Sequence, residues 1–343
     1  MRLQYFHSLF FGWAALVILM ACNKGDDPIQ PNPDPNWNPT YVSIDQPNWF
    51  PAMPAPDLNP TSLEGIALGR RLYYDAALHP EGSFSCSSCH VQSEGFTSNP
   101  GGTAVVSHVN LGWYDAFLWN GKIEGGLENI MYFEVNDFFQ TDVDRLSVNE
   151  VYRGKFFQAF GDSTITRVAC SKALAQFVRS MISADAHYDR YKHGNELPTP
   201  DEVMGEKIFN SEAGDCFHCH VPPLFTDNSF HNIGLDSVFE GDAVGRFLVS
   251  GNDYDKGAFK TPTLRNIALT APYMHDGRFQ TLEEVIDHYN EGVHSSYSLD
   301  PIMTKPGKEN GLQLSETQKQ QLIAFLLSLT DSTYVSNESF SSP

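Results

Sequence analysis

Cys86-Ser87-Ser88-Cys89-His90 and Cys216-Phe217-His218-Cys219-His220 are two copies of one pattern, Cys-x-x-Cys-His. Two thiols three residues apart on a first helical turn can each form a thioether to a haem vinyl group, and the next residue presents an imidazole to the iron. A structural zinc needs four ligands, and a redox dithiol sits beside a βαβ pattern. Neither explains a His directly after the second Cys, twice. The pattern predicts two covalently attached c-type haems. Cys86 and Cys89 hold the first, with His90 on its iron; Cys216 and Cys219 hold the second, with His220 on its iron. A large apolar cofactor wrapped by a few helices sets the expected fold: all-α, with two cytochrome c-like domains, each carrying one haem.

Periodicity along the chain agrees. Strand-like alternation is scarce, whereas Val168, Ala169, Ala173, Phe177, Val178, Met181 and Ile182 mark one apolar helix face. Cys170 lies on or beside that helix and is expected to be a buried, inert thiol. Thr281 with Glu284 forms a capping box ahead of the stripe Leu282, Val285, Ile286 and Tyr289. Ser315 with Gln318 opens a third helix through Leu322, Phe325, Leu326 and Leu329. The polar, Pro-containing break at 194–200 divides the body, so the expected haem domains are 61–195 and 196–332, followed by a tail at 333–343.

The N-terminus reads as export. Arg2 is the only charge before an apolar run from Leu9 to Ala21, and Leu19-Met20-Ala21-Cys22 follows. The run is too short to span a bilayer comfortably. It resembles a bacterial lipoprotein signal over 1–21, with Cys22 lipidated as the membrane anchor, which places the protein in the periplasm or on the outer-membrane or cell surface. Residues 22–60, rich in Pro, Asn and Asp, read as a flexible tether whose aromatics Trp37, Tyr41, Trp49 and Phe50 can dock part of it on the body. The formal net charge of -20 over 343 residues excludes nucleic acid, whose binders carry basic patches. It favours a basic redox-protein partner through electrostatic steering.

Several segments resemble the bacterial dihaem cytochrome c peroxidase/MauG family. Before the first haem these are Leu68-Gly69-Arg70-Arg71-Leu72-Tyr73-Tyr74-Asp75, and after it Phe96-Thr97 and Leu118-Trp119-Asn120-Gly121. Ala173-Leu174-Ala175-Gln176-Phe177-Val178-Arg179-Ser180 resembles the family's inter-domain helix. The C-terminal half carries Phe230-His231-Asn232-Ile233-Gly234-Leu235, Phe259-Lys260-Thr261-Pro262-Thr263-Leu264-Arg265-Asn266 and Thr270-Ala271-Pro272-Tyr273-Met274-His275-Asp276-Gly277. The resemblance implies a peroxide-dependent dihaem oxidoreductase that passes electrons between its haems. Its reductant would be a small redox protein or a residue on a protein substrate. The alternative is a non-catalytic electron-transfer lipoprotein.

From the residues alone, Met274, His275, Tyr289 and Met303 are all open as the sixth ligand of the second haem. The resemblance selects Tyr289, fourteen residues after His275, where MauG-like members place Tyr and peroxidases place Met. It also implies an inter-haem relay at Trp119 and a calcium position at the carbonyls of Thr270 and Pro272, with Ala104 where the family has Asn. The chain departs most around the first haem. The family's distal Glu, twenty residues after the Trp, falls on Phe139 beside Gln140; Glu134 and Asp137 are near but need a shifted loop. Lys122 replaces a family Arg, and His108 is the other imidazole open to the first haem.

Overall fold

Ser62 stands in extended backbone and its hydroxyl accepts from the Gly65 N–H, which opens α1 (Leu63–Tyr74). The computed structural model describes residues 37–54, 56–98, 104–194 and 196–343; the signal-like segment and Cys22 lie outside them. The other helices are α2 (Leu127–Phe133), α3 (Val143–Ser147), α4 (Glu150–Phe160), α5 (Arg167–Ser180), α6 (His187–Lys192), α7 (Pro200–Phe209), α8 (Phe247–Ser250), α9 (Leu282–Glu291), α10 (Glu316–Leu327) and α11 (Ser332–Val335). Strand is confined, among the described residues, to two short antiparallel pairs. β1 (Ala116–Phe117) lies beside β2 (Ile123–Glu124), and β3 (Phe230–His231) beside β4 (Phe259–Lys260). The expected capping boxes are formed: Thr281 accepts from Glu284 N–H on α9, and Ser315 from Gln318 N–H on α10.

Two apolar cores form. The first gathers Leu68, Leu72 and Tyr73 of α1, Ile130 and Met131 of α2, Phe156 of α4 and Leu174 and Phe177 of α5. The second gathers Ile208 and Phe209 of α7, Leu282 and Ile286 of α9 and Leu322, Phe325 and Leu326 of α10. Each such side chain, fully buried, contributes roughly 1.5–3 kcal/mol. Tyr188 of α6 packs into the second core, so the division of packing falls between Met181 and Tyr188, ahead of the polar break. Cys170 is fully buried within α5, whereas Val168 at its start is exposed.

The halves repeat one helix crossing. A β-carbon on Gly69 of α1 would overlap the Ala173 carbonyl of α5 and crowd Phe177; one on Gly205 of α7 would overlap the Gln321 carbonyl of α10 and crowd Phe325. In each half a glycine lets two backbones touch, facing residues four apart on the partner helix. Gly69→Ala and Gly205→Ala are each expected to destabilise the holoprotein by about 1–3 kcal/mol in denaturant unfolding. Gly154→Ala on the exposed face of α4, where a β-carbon meets nothing within 4 Å, is expected to stabilise by about 0.5–1 kcal/mol.

Both expected appendages are docked where they are described. From Trp37 onward the stretch read as a tether lies on the body. Trp37 Nε1 donates to Gln158 O at 2.9 Å, Trp49 stacks on His193 at 3.8 Å, and Phe50 is buried against Trp113. The stretch read as a tail is also anchored. Tyr334 and Phe340 enter the first core, and Arg70 Nε donates to Ser341 O at 2.6 Å. In both cases a few aromatic side chains outweigh a polar, turn-rich composition.

Candidate functional site

The two Cys-x-x-Cys-His segments adopt the same local structure. Each begins with a short 3₁₀ turn, Cys86–Ser88 or Cys216–His218, and the His N–H donates to the first Cys carbonyl at 2.9 Å in both. Each ring is then anchored by its Nδ1: His90 to Phe96 O at 2.9 Å, His220 to Phe225 O at 3.1 Å. Phe96 and Phe225 both hold left-handed backbone, at φ 57° and 54°, a conformation that costs about 1–3 kcal/mol for a non-glycine residue. The bond fixes the tautomer and leaves Nε2 free for a metal. Burial keeps both rings neutral, pushing His90 down to about 4 and His220 below its ordinary value.

The Thr-Pro-Thr-Leu-Arg segment pins the second of these loops. Thr263 Oγ1 donates to Leu224 O at 2.6 Å, Thr226 Oγ1 to Thr261 O at 2.7 Å and Arg265 Nε to Pro223 O at 2.8 Å. Arg265 in turn forms a buried two-bond pair with Asp189 at 2.8 and 2.9 Å. The carbonyl that orients His220 is therefore held by residues from two other parts of the chain.

A large, mostly apolar cavity lies beside Cys216, Cys219 and His220. Its walls include Leu264, Ile267, Leu282, Ile286 and Leu326. This fits a haem: two thiols, a free neutral imidazole nitrogen and an apolar enclosure. Met274, His275, Tyr289 and Met303 all line it, so the structure gathers all four candidate sixth ligands. They differ in what else they do. His275 stacks on Phe259 with ring centroids 3.6 Å apart and has a buried Nδ1 with no partner among the described residues. Tyr289 comes from the inward stripe of α9. Burial, and behind it the Cys219 and Cys216 thiols, push its phenol well up, and among the described residues no hydrogen bond offsets that burial. His231 on β3, which sequence reasoning did not single out, sits in the wall between two carboxylates. Nε2 meets Asp227 at 2.8 Å and Nδ1 meets Asp300 at 2.6 Å, and those bonds push it up to about 12. The two carboxylates favour its protonated form, and the Asp227-x-x-x-His231 spacing was its signal.

Trp119 lies on the β1–β2 turn and lines the same cavity, with Nε1 donating to Ala104 O at 2.8 Å. The second half grips this turn. Lys260 N donates to Trp119 O at 2.8 Å, and Arg246 Nη1 donates to Asn120 O and Gly121 O at 3.1 and 2.8 Å. Lys122 instead lies over the Phe133 ring. Thr270, Pro272 and Ala104 all line the cavity. Ala104 has no side-chain oxygen and its carbonyl already takes the indole N–H, a poor fit to a hard cation that takes six to eight oxygens.

At the first haem segment, His108 does not stand opposite His90. The two rings lie flat together, centroids 3.5 Å apart and 21° between planes, whereas axial ligands on one iron sit on opposite sides of it. Phe139 is buried in the first core and offers no acid or base. Glu134 is placed differently from the sequence expectation. It begins a π-turn, Glu134–Phe138, in which Phe139 N donates to Glu134 O at 2.8 Å. Such turns recur at functional sites. The carboxyl is half-buried; burial raises the Cys86 and Cys89 thiols, and the charge of Glu134 adds to both. Burial alone, with no offsetting bond, pushes it up to about 7. No periodicity in Glu134-Val135-Asn136-Asp137-Phe138 announces a π-turn. Asp137 is exposed.

These features define a class: an all-α protein with two c-type haem sites in two halves, joined through a tryptophan-bearing turn. The comparisons place it further. The family model described as di-haem cytochrome c peroxidase matches residues 63–197. The methylamine utilization protein MauG of Methylophilus methylotrophus is 35% identical over 297 residues, covering 81% of this chain and 86% of its own. A cytochrome-c peroxidase of Pseudomonas sp. (strain SCT) is 30% identical over 329 residues, covering 82% and 84%. The crystal structure of a MauG-like protein associated with microbial copper homeostasis superposes with a TM-score of 0.81 at 31% identity, covering 88% of this chain and 99% of that one. The chain belongs to the di-haem cytochrome c peroxidase/MauG family.

Proposed function

We propose that this protein is a peroxide-dependent dihaem oxidoreductase in which hydrogen peroxide is reduced at the His90 haem and oxidising equivalents are shared with the His220 haem. The observation that carries this reading is Glu134, a half-buried carboxyl with a pKa raised to about 7 beside Cys86 and Cys89. When bound, the haems supply the redox chemistry. Glu134 takes the proton from the near oxygen of peroxide and returns it to the far one, so that the leaving group departs as water. A carboxyl poised near neutral pH is suited to both halves of that transfer. His90, fixed by Phe96, holds the proximal side. Trp119, held by Ala104 and Lys260 on a turn that Arg246 also grips, is assigned as the relay between the haems.

Tyr289 is assigned as the sixth ligand of the second haem. It lines the cavity with His220, and among the described residues its phenol has no hydrogen-bond partner, unlike most buried tyrosines. A hard, anionic phenolate favours the ferric state. Tyr289→Phe is expected to abolish the low-spin ferric signature of that haem in absorption and EPR spectra and to raise its reduction potential. Unchanged low-spin signals would transfer the assignment to Met274, His275 or Met303. Two c-type haems are the cofactors of this reading; calcium is left outside it, because Ala104 stands where the family has Asn and its carbonyl takes the Trp119 indole N–H.

The electron donor is a small basic redox protein or an oxidisable side chain on a protein substrate, drawn by the net charge of -20. The Leu19-Met20-Ala21-Cys22 sequence supports export and lipid anchoring at Cys22, on the periplasmic or cell-surface side. Among the described residues no helix is long and apolar enough to cross a membrane.

A further inference from the structure

The two haem segments share one local geometry, but different parts of the chain hold it. At the second, Thr263 and Arg265 fix the loop that carries the Phe225 carbonyl. At the first, the support comes from residues 331–341, which follow α10 and pass from the second core to the first. Asp331 fixes the start of this strap. Its carboxylate, 1% exposed, accepts from Ser183 Oγ and from the Ala184 and Asp185 N–H groups, all at 3.0 Å. The strap then lies against the first haem segment. Gln92 Nε2, two residues after His90, donates to Asn337 O at 2.8 Å, and the Tyr74 hydroxyl donates to Phe340 O at 2.6 Å. The Phe96 ring packs edge-on against Tyr334 and Phe340, with centroids 5.4 and 6.5 Å apart, and all three rings are buried. The Phe96 carbonyl accepts from His90 Nδ1 at 2.9 Å and from the His108 N–H at 3.2 Å. The Tyr334 hydroxyl donates to the His108 carbonyl at 2.7 Å. A buried phenol needs a partner for its hydroxyl; here the partner is the residue that shares the Phe96 carbonyl with His90.

We infer that the 331–341 strap positions the proximal ligand of the first haem, with Tyr334 as its positioning residue, and thereby sets that haem's reduction potential independently of the other's. Phe96 holds left-handed backbone at φ 57°, a conformation that persists only where the surroundings over-determine it. Tyr334 and Phe340 supply those surroundings from one side, and the Tyr334 hydroxyl fixes the neighbouring His108. With Phe96 so held, its carbonyl stays on His90 Nδ1. A hydrogen bond at the far nitrogen of a ligating imidazole makes the ligand more basic, and a more basic ligand favours ferric iron. Loosening the strap therefore raises the potential of the first haem. At the second haem the same lever is worked by Thr263 and Arg265, so each potential has its own support. The inference rests on His90 as the iron ligand of the first haem, and not on peroxide chemistry.

The test is a redox titration of the holoprotein followed by haem absorption, with c-type haem counted as the pyridine haemochrome. Two reduction waves are expected. Tyr334→Phe, which keeps the ring and drops only the hydroxyl, is expected to move one wave to higher potential and leave the other in place. Tyr334→Leu, which also removes the ring from Phe96, is expected to move the same wave further. Thr263→Val, which frees the Leu224 carbonyl beside Phe225, is expected to move the other wave. Gly69→Ala, which crowds α1 against α5 in the same half as His90, is expected to lower the unfolding midpoint and leave both waves in place. If Tyr334→Phe moves neither wave, moves both equally, or moves the one that Thr263→Val moves, the strap has no such role. A matching shift in Gly69→Ala would reduce the effect to general loosening and also overturn it. In each of these cases two haems per chain leave the haem reading standing; fewer than two haems in the wild type would overturn that reading and the strap together.

Discussion

Glu134→Gln is expected to slow the reaction with hydrogen peroxide by about 10²- to 10⁴-fold, the usual contribution of a positioned acid/base. The amide keeps the size of the side chain but cannot take or return a proton, so the ferric spectra of both haems should stay as they are. The pH profile separates this from a packing effect. Burial raises the Glu134 carboxyl to about 7, and the ionised form is the one that can deprotonate peroxide. In the wild type the rate should therefore rise with pH through about 7 and level off above it. The Gln variant should be slow and show no such rise. Asp137→Asn, on an exposed residue of the same π-turn, should leave both rate and profile unchanged. Stopped-flow mixing with peroxide across pH measures all three.

Asp189→Ala is expected to cost about 3–5 kcal/mol of stability, because it strands a charge inside the protein. Arg265 has no exposed side-chain surface and Asp189 only 3%. Removing the carboxylate leaves the guanidinium with Pro223 O and the Phe50 and Phe225 rings as neighbours. Replacing both partners together by Leu and Met should cost much less, since the desolvation of two charges is then no longer required. The single variant should also disturb the second haem. Arg265 holds Pro223, and the same loop carries the Phe225 carbonyl that orients His220. Thermal unfolding of the holoprotein measures the stability change; the ferric EPR signal of the second haem should broaden in Asp189→Ala and stay narrow in the double replacement.

The haem segments, the α9 and α10 caps and the inward stripe carrying Tyr289 are all legible in the chain, because each depends on spacings of three or four residues. The first half is less so. Glu134 opens a π-turn whose Val135 and Phe139 are buried in the first core, and no local pattern reveals that geometry. His108 shows the same problem: a lone imidazole reads as a ligand, and only the fold places it beside His90 rather than opposite. The docking of Trp37, Phe50, Tyr334 and Phe340 is likewise long-range. Composition marked both end segments as polar, while a few aromatics decide where they lie. The boundary between halves followed the polar break in sequence, yet α6 packs with the second core through Tyr188.

The central claim is that peroxide is reduced at the His90 haem. Stopped-flow absorption of the purified holoprotein, mixed with one equivalent of hydrogen peroxide, tests it most directly. A rapid change in the Soret band, complete at stoichiometric peroxide and reversed by an added reductant, is the predicted result. An unchanged Soret band, with the first haem six-coordinate in both redox states, would contradict it and leave a dihaem electron carrier without peroxidase chemistry.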